Sequence, residues 1–165
     1  MQLIKLWETD LPKAYNLYQT FEEDENGFLN EAYGLDFDQF KLFVEMVERN
    51  SNGEDLPHGY VPWTIYILED NKHYVGIFKL RHHLNEYLAE GAGHIGFGVA
   101  KLYRNQGYAS KGLRLMVDIA KTVIPEDEIY MACYKYNQAS LKAQLSNGAY
   151  IHHEDEDHYY TRIKK

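Results

Sequence analysis

A segment in the second half of the chain, Arg104–Ala109, has the residue types and spacing to hold a phosphate group. It follows a predicted strand and opens a predicted helix, so several backbone N–H groups and the positive end of the helix dipole converge on one point. Gly107 has no Cβ and Ala109 has a small one, which lets the backbone approach an anion closely. Arg104 can add charge-assisted hydrogen bonds to that anion. The segment therefore predicts a pyrophosphate-binding loop.

The loop matches neither of the two common nucleotide-binding motifs. A dinucleotide fingerprint needs three spaced glycines, and a Walker loop ends in Gly-Lys-Ser/Thr. Nucleotide hydrolysis is therefore disfavoured. The pattern Arg-x-x-Gly-x-Ala is permissive by itself, and its alternative interpretation is an ordinary strand-to-helix turn with a solvated arginine.

Charge is distributed unevenly along the sequence. The chain has 17 basic and 25 acidic residues, a formal charge of -8, which repels nucleic acid and anionic lipid. We therefore expect neither nucleic acid nor a membrane as a partner. Between residues 91 and 117 there is no Asp or Glu, and four basic residues fall there: Lys101, Arg104, Lys111 and Arg114. That basic island could receive a polyanionic cofactor.

Length and composition indicate one ordinary domain. With 165 residues, of which 45% are apolar, residues 1–165 are expected to bury a single core. The amino terminus has no basic flank, long apolar run or small-residue cleavage site, and no run approaches the roughly 18 apolar residues of a membrane span. A cytoplasmic location is therefore expected. The lone cysteine, Cys133, is interpreted as a buried thiol rather than a nucleophile.

Two histidine pairs raise the alternative of a metal site. The pairs are His82-His83 and His152-His153. Adjacent strand residues face opposite sides of a sheet, and no matched Cys/His set accompanies either pair. We therefore expect no metal.

Hydrophobic periodicity predicts the elements that hold the loop. Polar segments at Glu22–Gly34 and Glu54–Val61 are predicted loops. The order β-α-α-β-β-β-α-β-α-β-β predicts an α/β (α+β) fold built on a mixed sheet. The first predicted helix begins at Leu11, with Asp10 as its N-cap and Pro12 in its first turn, and the second is a capped helix that starts at Asp36. A third begins at Ala109 and ends before Pro125. A fourth is predicted at Asn137–Ser146, where Asn137 suits an N-cap. The predicted strands are Gln2–Trp7, Trp63–Leu68, Tyr74–Leu80, His94–Leu102, Glu128–Tyr134, Tyr150–His153 and His158–Ile163.

At the loop itself, the sequence resembles the GNAT superfamily of acetyl-CoA-dependent N-acetyltransferases. The main signature of that superfamily, Gln/Arg-x-x-Gly-x-Gly/Ala, is matched by Arg104, Gly107 and Ala109. Over residues 61–150 the chain is similar to an uncharacterised bacterial branch of this superfamily.

Two further motifs extend the resemblance on either side of the loop. Upstream, Val99 and Arg104 match Val-x-Pro-x-x-Arg, with Lys101 where proline is common, and residues 93–99 look like the bulged fourth strand of the family. Downstream, the family pattern is an Asn, a small residue three positions later and a Gly eleven positions later. In this chain those positions are Asn137, Ser140 and Gly148.

The resemblance implies a fold and a cofactor. The fold is a single, mostly antiparallel mixed sheet with splayed central strands and flanking helices. The co-substrate is acetyl-CoA, without a metal. Amides after the fourth strand bind its pyrophosphate, the splayed strand binds its pantetheine arm, and the Asn on the next helix supports that arm. The implied cofactor-binding residues are Phe97, Gly98, Val99, Arg104, Asn105, Gln106, Gly107, Tyr108, Ala109, Ser110 and Asn137.

The implied activity is transfer of an acetyl group to a primary amine of a small molecule or peptide by direct attack. A strand amide near Val99 could stabilise the tetrahedral oxyanion. His94 is the preferred general base, and Glu90 acting through water is the alternative. A packed, hydrogen-bonded core histidine is the other interpretation of His94. Arg81 is a candidate to bind a substrate carboxylate, and a surface salt bridge explains it equally well.

The general acid departs from the pattern of the family. A Tyr seven residues after the helix Asn commonly protonates the CoA thiolate, and Gln144 occupies that position. Ser140 could hydrogen-bond the sulfur or relay a proton through water, and Tyr134 or Tyr136 could substitute. This departure keeps two alternatives open: a catalytically weak or inactive CoA-binding sensor, and an interaction domain that ignores CoA. Oligomeric state is also left open, with a homodimer as one expectation.

Overall fold

The computed structural model describes residues 1–165 as nine strands and five α-helices. Short 3-10 helices at Leu6–Glu8 and Lys101–Tyr103 follow the first and sixth strands. The α-helices are α1 (Leu11–Tyr18), α2 (Phe37–Ser51), α3 (Glu86–Glu90), α4 (Tyr108–Val123) and α5 (Gln138–Leu145). The strands are β1 (Gln2–Lys5), β2 (Asp24–Glu25), β3 (Phe28–Leu29), β4 (Trp63–Asp70), β5 (His73–Arg81), β6 (Ile95–Val99), β7 (Glu128–Tyr134), β8 (Tyr150–Glu154) and β9 (His158–Lys164).

The larger strands form two antiparallel sheets. One has the order β1-β4-β5-β6 and the other has the order β7-β9-β8, while β2 and β3 pair only with each other. No ladder joins β6 to β7. Their connection is an isolated bridge between Gly93 and Met131 and a 2.7 Å hydrogen bond from the His94 N–H to the Tyr130 carbonyl. The structure therefore opens between β6 and β7, and the predicted α/β fold with antiparallel, splayed strands is confirmed. The single mixed sheet that was expected is divided at this opening into two antiparallel sheets.

Helices cover both faces of the four-stranded sheet because its strands alternate their side chains. On β5, Ile77 belongs to the core under α1 and α2, and its neighbour Phe78 belongs to the core under α4. Both side chains are almost fully buried. Because both faces of this sheet are buried, its register is fixed by packing on two sides.

The N-caps predicted for the first two helices are present. The Asp10 carboxylate accepts from the Lys13 N–H, with Pro12 in the first turn. Asp36 and Gln39 form a reciprocal capping box at the start of α2. Each pairing satisfies backbone donors that a helix leaves free at its start.

Several boundaries differ from the predicted ones. The strand expected to run from His94 to Leu102 is shorter, because the chain turns into a 3-10 helix after Ala100. The first strand likewise ends at Lys5, where Leu6 turns into the core. The predicted loop Glu22–Gly34 contains the β2–β3 hairpin, whose turn residues Asn26 and Gly27 have φ of 57° and 86°. Asn-Gly favours such a turn, but the acidic residues beside it gave no strand pattern.

The close packing of α4 against the sheet depends on Gly112. A Cβ at this position would overlap the Phe78 ring and lie 2.9 Å from Leu68 Cδ2. We expect Gly112→Ala to lower the free energy of unfolding by about 1 to 3 kcal/mol, although Ala is the better helix former. Urea unfolding would measure this, with Gly96→Ala as the control because nothing lies within 4 Å of a Cβ there. Equal stability of the two variants would contradict the packing argument.

None of the five helices combines the length and the apolar character that crossing a membrane requires.

Candidate functional site

The predicted phosphate loop lies between the end of β6 and the start of α4. Gly107 is the N-cap of α4 with φ of 80°, and Asn105 is also left-handed with φ of 61°. None of the six backbone N–H groups from Asn105 to Ser110 donates a hydrogen bond within the protein. The positive end of the 16-residue helix α4 lies at the same place. Free amides at a helix start can bind an anion such as a diphosphate.

The Arg104 side chain holds this loop in place. Its Nε donates to the Val99 carbonyl at 2.9 Å, and its Nη2 lies 2.7 Å from Glu25 Oε1. Gln106 also bonds within the loop, through its Nε2 and the Leu102 carbonyl. An anion at this loop would therefore meet backbone amides first, and it would compete with Glu25 for the guanidinium of Arg104.

The edge of β6 that faces the gap has free backbone groups. In an antiparallel ladder, alternate residues direct both of their backbone groups at the partner strand. The Ala100 N–H donates to the Val75 carbonyl at 3.0 Å, and the Arg81 N–H donates to the His94 carbonyl at 2.8 Å, while the His94 N–H turns to Tyr130. The even-numbered residues between them, Gly98 included, therefore pair with β5. The odd-numbered residues Ile95, Phe97 and Val99 direct their N–H and C=O groups away from β5, and of these the Val99 carbonyl accepts from Arg104 Nε.

The β2–β3 hairpin spans this gap. A Cβ on Gly98 would lie 2.8 Å from the Phe21 ring and 3.0 Å from the Phe28 ring, so Gly98 lets the hairpin approach β6. At the other side, a Cβ on Gly27 would lie 2.8 Å from the Tyr134 ring of β7. Nothing in the sequence except the Asn-Gly turn indicates this hairpin as a functional element.

Glu25 in this hairpin is a further site residue that no sequence pattern indicates. Its side chain is 9% exposed, Oε1 pairs with Arg104, and Oε2 is buried without a hydrogen-bond partner. Lys101 lies 3.6 Å from Oε1 and pairs with Glu22 as well. Glu25 therefore links the hairpin to the phosphate loop.

Asn137 stands at the far side of the gap and caps α5. Its Oδ1 accepts from the Ser140 N–H at 3.1 Å, and its Nδ2 lies 3.3 Å from the Asn26 carbonyl. The capping interpretation of Asn137 is therefore confirmed. Its amide lies where the hairpin meets the end of β7.

His94 lies at the junction of β6 and β7 and is completely buried. Its Nδ1 accepts from the Tyr130 N–H at 2.9 Å, so the ring proton is on Nε2, which is 3.1 Å from Glu126 Oε2. Burial lowers the pKa of His94, against the opposing effect of Glu126. Burial alone would raise the pKa of Glu126, but hydrogen bonds from the Leu84 N–H and from His94 lower it. Both ring nitrogens are engaged, so the geometry supports the packed, hydrogen-bonded interpretation of His94.

Ser140 belongs to a network between β7, α5 and β9. Gln144 is almost fully buried, and its Nε2 donates to Ser140 Oγ at 3.1 Å while its Oε1 accepts from Thr161 at 2.6 Å. Because Gln144 is the donor in this pair, Ser140 can donate its own hydroxyl hydrogen to another acceptor, and the neighbouring Cys133 sulfur is one. Cys133 is buried as predicted, and burial raises the pKa of its thiol. Tyr134 is half-buried at the gap and stacks on Tyr136.

The two histidine pairs are engaged separately. His82 Nε2 lies 2.8 Å from Thr64 Oγ1, and burial lowers the pKa of His82. His152 and His153 contact each other at the surface. The structure brings together no group of three or more His, Cys, Asp or Glu side chains that could hold a metal ion.

Arg81 lies at the end of β5, on the face of the sheet that α1 and α2 cover. Its Nη1 donates to the Gly93 carbonyl at 3.0 Å, and it has no carboxylate partner. Lys79, two residues earlier on the same face, is paired with Glu31 at 2.7 Å. The surface salt bridge considered for Arg81 is therefore absent.

A helix start with free amides, next to a strand with a free edge, is an arrangement that can bind a long ligand with a phosphorylated end. A family model described as the acetyltransferase (GNAT) domain matches residues 3–149. The chain therefore belongs to the GNAT acetyltransferase family. No match was found among curated proteins.

Solved structures share this fold at low sequence identity. The Campylobacter jejuni N-acetyltransferase PseH in complex with acetyl coenzyme A is 14% identical, with a TM-score of 0.63, over 99% of this chain and 98% of its own. The F149A mutant of spermidine N-acetyltransferase SpeG from Vibrio cholerae is 16% identical, with a TM-score of 0.62, over 99% and 95%. At such identities the likeness establishes the fold alone.

Proposed function

We propose that this protein transfers an acetyl group from acetyl-CoA to a primary amine of a small molecule or a peptide. The observation that carries this proposal is the run of six unpaired amides from Asn105 to Ser110, which continues the free edge of β6. Together they offer hydrogen-bond donors first to a diphosphate and then to an extended arm. Family membership gives the chemistry that such a ligand would serve.

The cofactor is placed along this line of free groups. The amides of residues 105–110, including those of Asn105, Gln106, Tyr108 and Ser110, would hold the diphosphate, and the strand edge at Phe97 and Val99 would hold the arm. Gly98 contributes by lacking a side chain, because its own backbone groups pair with β5. Arg104 shapes the loop, and the amide of Asn137 reaches the arm from the other side of the gap.

The reaction is direct attack of the amine nitrogen on the thioester carbon. The N–H groups of Phe97 and Val99 stabilise the oxyanion, because they point into the gap where no strand partner competes for them. An amine of pKa about 10.4 must first lose a proton, at a cost of roughly 4 to 5 kcal/mol near neutrality. We assign this step to water rather than to His94, since both nitrogens of His94 are engaged.

The leaving thiolate needs a hydrogen-bond donor. We propose that Ser140 supplies it, because Gln144 donates to the oxygen of Ser140 and leaves the hydroxyl hydrogen to be donated. Tyr134 is the alternative acid. It is half-buried at the gap, and its hydroxyl has no hydrogen-bond partner in the structure.

A second candidate is a CoA-binding sensor with little or no turnover. The observation that favours it is the buried Gln144, which occupies the usual position of the acid and bonds to Ser140 and Thr161 instead. A sensor would bind acetyl-CoA without releasing free CoA in the presence of any amine.

Calorimetry with acetyl-CoA, followed by thiol release across a panel of polyamines, amino acids and peptides, separates these candidates. We expect saturable binding and release of free CoA with at least one amine. Binding without release across the panel would support the sensor. No binding at all would overturn both candidates.

A further inference from the structure

A surface groove lies on the α1–α2 face of the sheet, above Gly96. Nothing lies within 4 Å of a Cβ built on Gly96, whereas Gly98 is covered by Phe21 and Phe28. Gly96 pairs with Lys79 of β5, and cross-strand partners share a face. Arg81 is two residues further along β5 on that same face. We call the space above Gly96, bordered by Lys79 and Arg81, the acceptor groove.

The acceptor groove has one cation without a salt bridge, and only the electrostatic effect of Glu31, which is paired with Lys79, reaches it. Lys79 is neutralised by Glu31 at 2.7 Å, and its ammonium also lies 4.6 Å from the centre of the Trp63 ring. Arg81 has no carboxylate oxygen within ion-pair distance and spends one donor on the Gly93 carbonyl. The chain carries a net charge of -8, so an unpaired arginine is not explained by a shortage of acidic residues.

The partial burial of Arg81 favours the binding of an anionic ligand. Desolvation lowers the pKa of Arg81, but a guanidinium stays protonated near neutral pH. A half-buried cation without a partner has lost part of its hydration without a compensating ion pair. A carboxylate or phosphate would supply that pair, and the planar guanidinium suits two parallel hydrogen bonds to it.

The position of Arg81 determines how far the anionic group of an acceptor must lie from its amine nitrogen. In the proposed reaction the thioester carbonyl lies at the N–H groups of Phe97 and Val99. The backbone N–H of Arg81, in contrast, bonds to the carbonyl of His94, further back along β6. Phe97 is three residues from His94, or about 10 Å along a strand, and Val99 is further away. An anion on Arg81 is therefore about 10 Å or more from a nitrogen at the thioester.

We propose that Arg81 binds an anionic group of the acceptor, and that the acceptor is an amine whose anion lies about 10 Å or more from its nitrogen. This inference rests on the proposed acetyltransferase function. A peptide of three or more residues with a free amino terminus and a free carboxylate has this length, because an extended chain spans about 3.3 to 3.6 Å per residue. An α-amino acid is too short to reach both points.

Glycine oligomers of two to five residues test this proposal, each as the free acid and as the C-terminal amide. With the native protein, kcat/KM for the acid is expected to exceed that for the amide by about tenfold to a hundredfold from three residues upward, as for a charged hydrogen bond. Diglycine should show little difference. Arg81→Gln should remove the preference for the acid, and Arg81→Lys should retain part of it.

The control variant is Arg49→Gln, which removes an exposed arginine near the end of α2. It should keep the native preference, and all variants should acetylate the amides equally well. Equal rates for acid and amide with the native protein would overturn the inference, and so would an unchanged preference in Arg81→Gln. Acetylation of other amines, together with no acetylation of the acid or the amide form of these peptides, would also overturn it. In each of these cases the acetyltransferase function stands, whereas absence of acetyl-CoA binding in calorimetry would remove the function itself.

Discussion

Gly107→Trp is expected to weaken acetyl-CoA binding by at least about a hundredfold, the loss of two charge-assisted hydrogen bonds. Gly107 is the left-handed N-cap of α4, in the middle of the six unpaired amides. The only atom within 4 Å of a Cβ at this position is Lys111 Cε, so an indole would extend outward over the amides rather than into the core. Calorimetry with acetyl-CoA measures the effect.

The control for this variant is Gly34→Trp. Gly34 has φ of 75° against 80° for Gly107, and nothing lies within 4 Å of a Cβ there. Both substitutions carry the same backbone strain, about 1 to 2 kcal/mol, but only one lies at the loop. If Gly107→Trp is folded and binds acetyl-CoA as the native protein does, the loop does not hold the diphosphate.

His94→Ala is expected to lower the free energy of unfolding by about 3 kcal/mol or more, through two lost hydrogen bonds and a cavity. The Tyr130 N–H and Glu126 lose their partner at the one place where β6 and β7 are joined. His83→Ala, at an exposed neighbouring position, is the control and should change stability little. Urea unfolding measures both variants. A native-like stability of His94→Ala would contradict the structural assignment of His94.

The same residue predicts a dependence of stability on pH. Burial lowers the pKa of folded His94 below its ordinary value of 6.5, so below pH 6.5 the unfolded chain takes up a proton that the folded protein does not. The contribution of His94 to the free energy of unfolding is therefore fully present above pH 6.5. It falls as the pH decreases from there, by at most about 1.4 kcal/mol per pH unit for one group. His82 has a lowered pKa as well, so the relevant quantity is the difference in slope between the native protein and His94→Ala. Equal slopes would show that His94 does not titrate differently in the folded state.

The sequence by itself determined the strand-turn-helix around Gly107 and most of the elements around it. The strands β4 and β5, which are rich in β-branched and aromatic residues, and the caps at Asp10 and Asp36 depend on local composition and local hydrogen bonds. The same holds for Asn137, because an N-cap bonds within its own first turn. Local interactions of this kind can be recognised from neighbouring residues.

Only the tertiary structure decided what the polar side chains do. The partners of His94 are 32 and 36 residues away in sequence, and no local pattern identifies Glu126 or the Tyr130 amide as its neighbours. The same is true of Arg104, which bonds to Glu25 in a hairpin that the sequence indicated only as a loop. The free cation at Arg81 likewise depends on Glu31 pairing with Lys79 instead. Which charge is paired and which is left open depends on long-range packing, and spacing along the chain does not encode it.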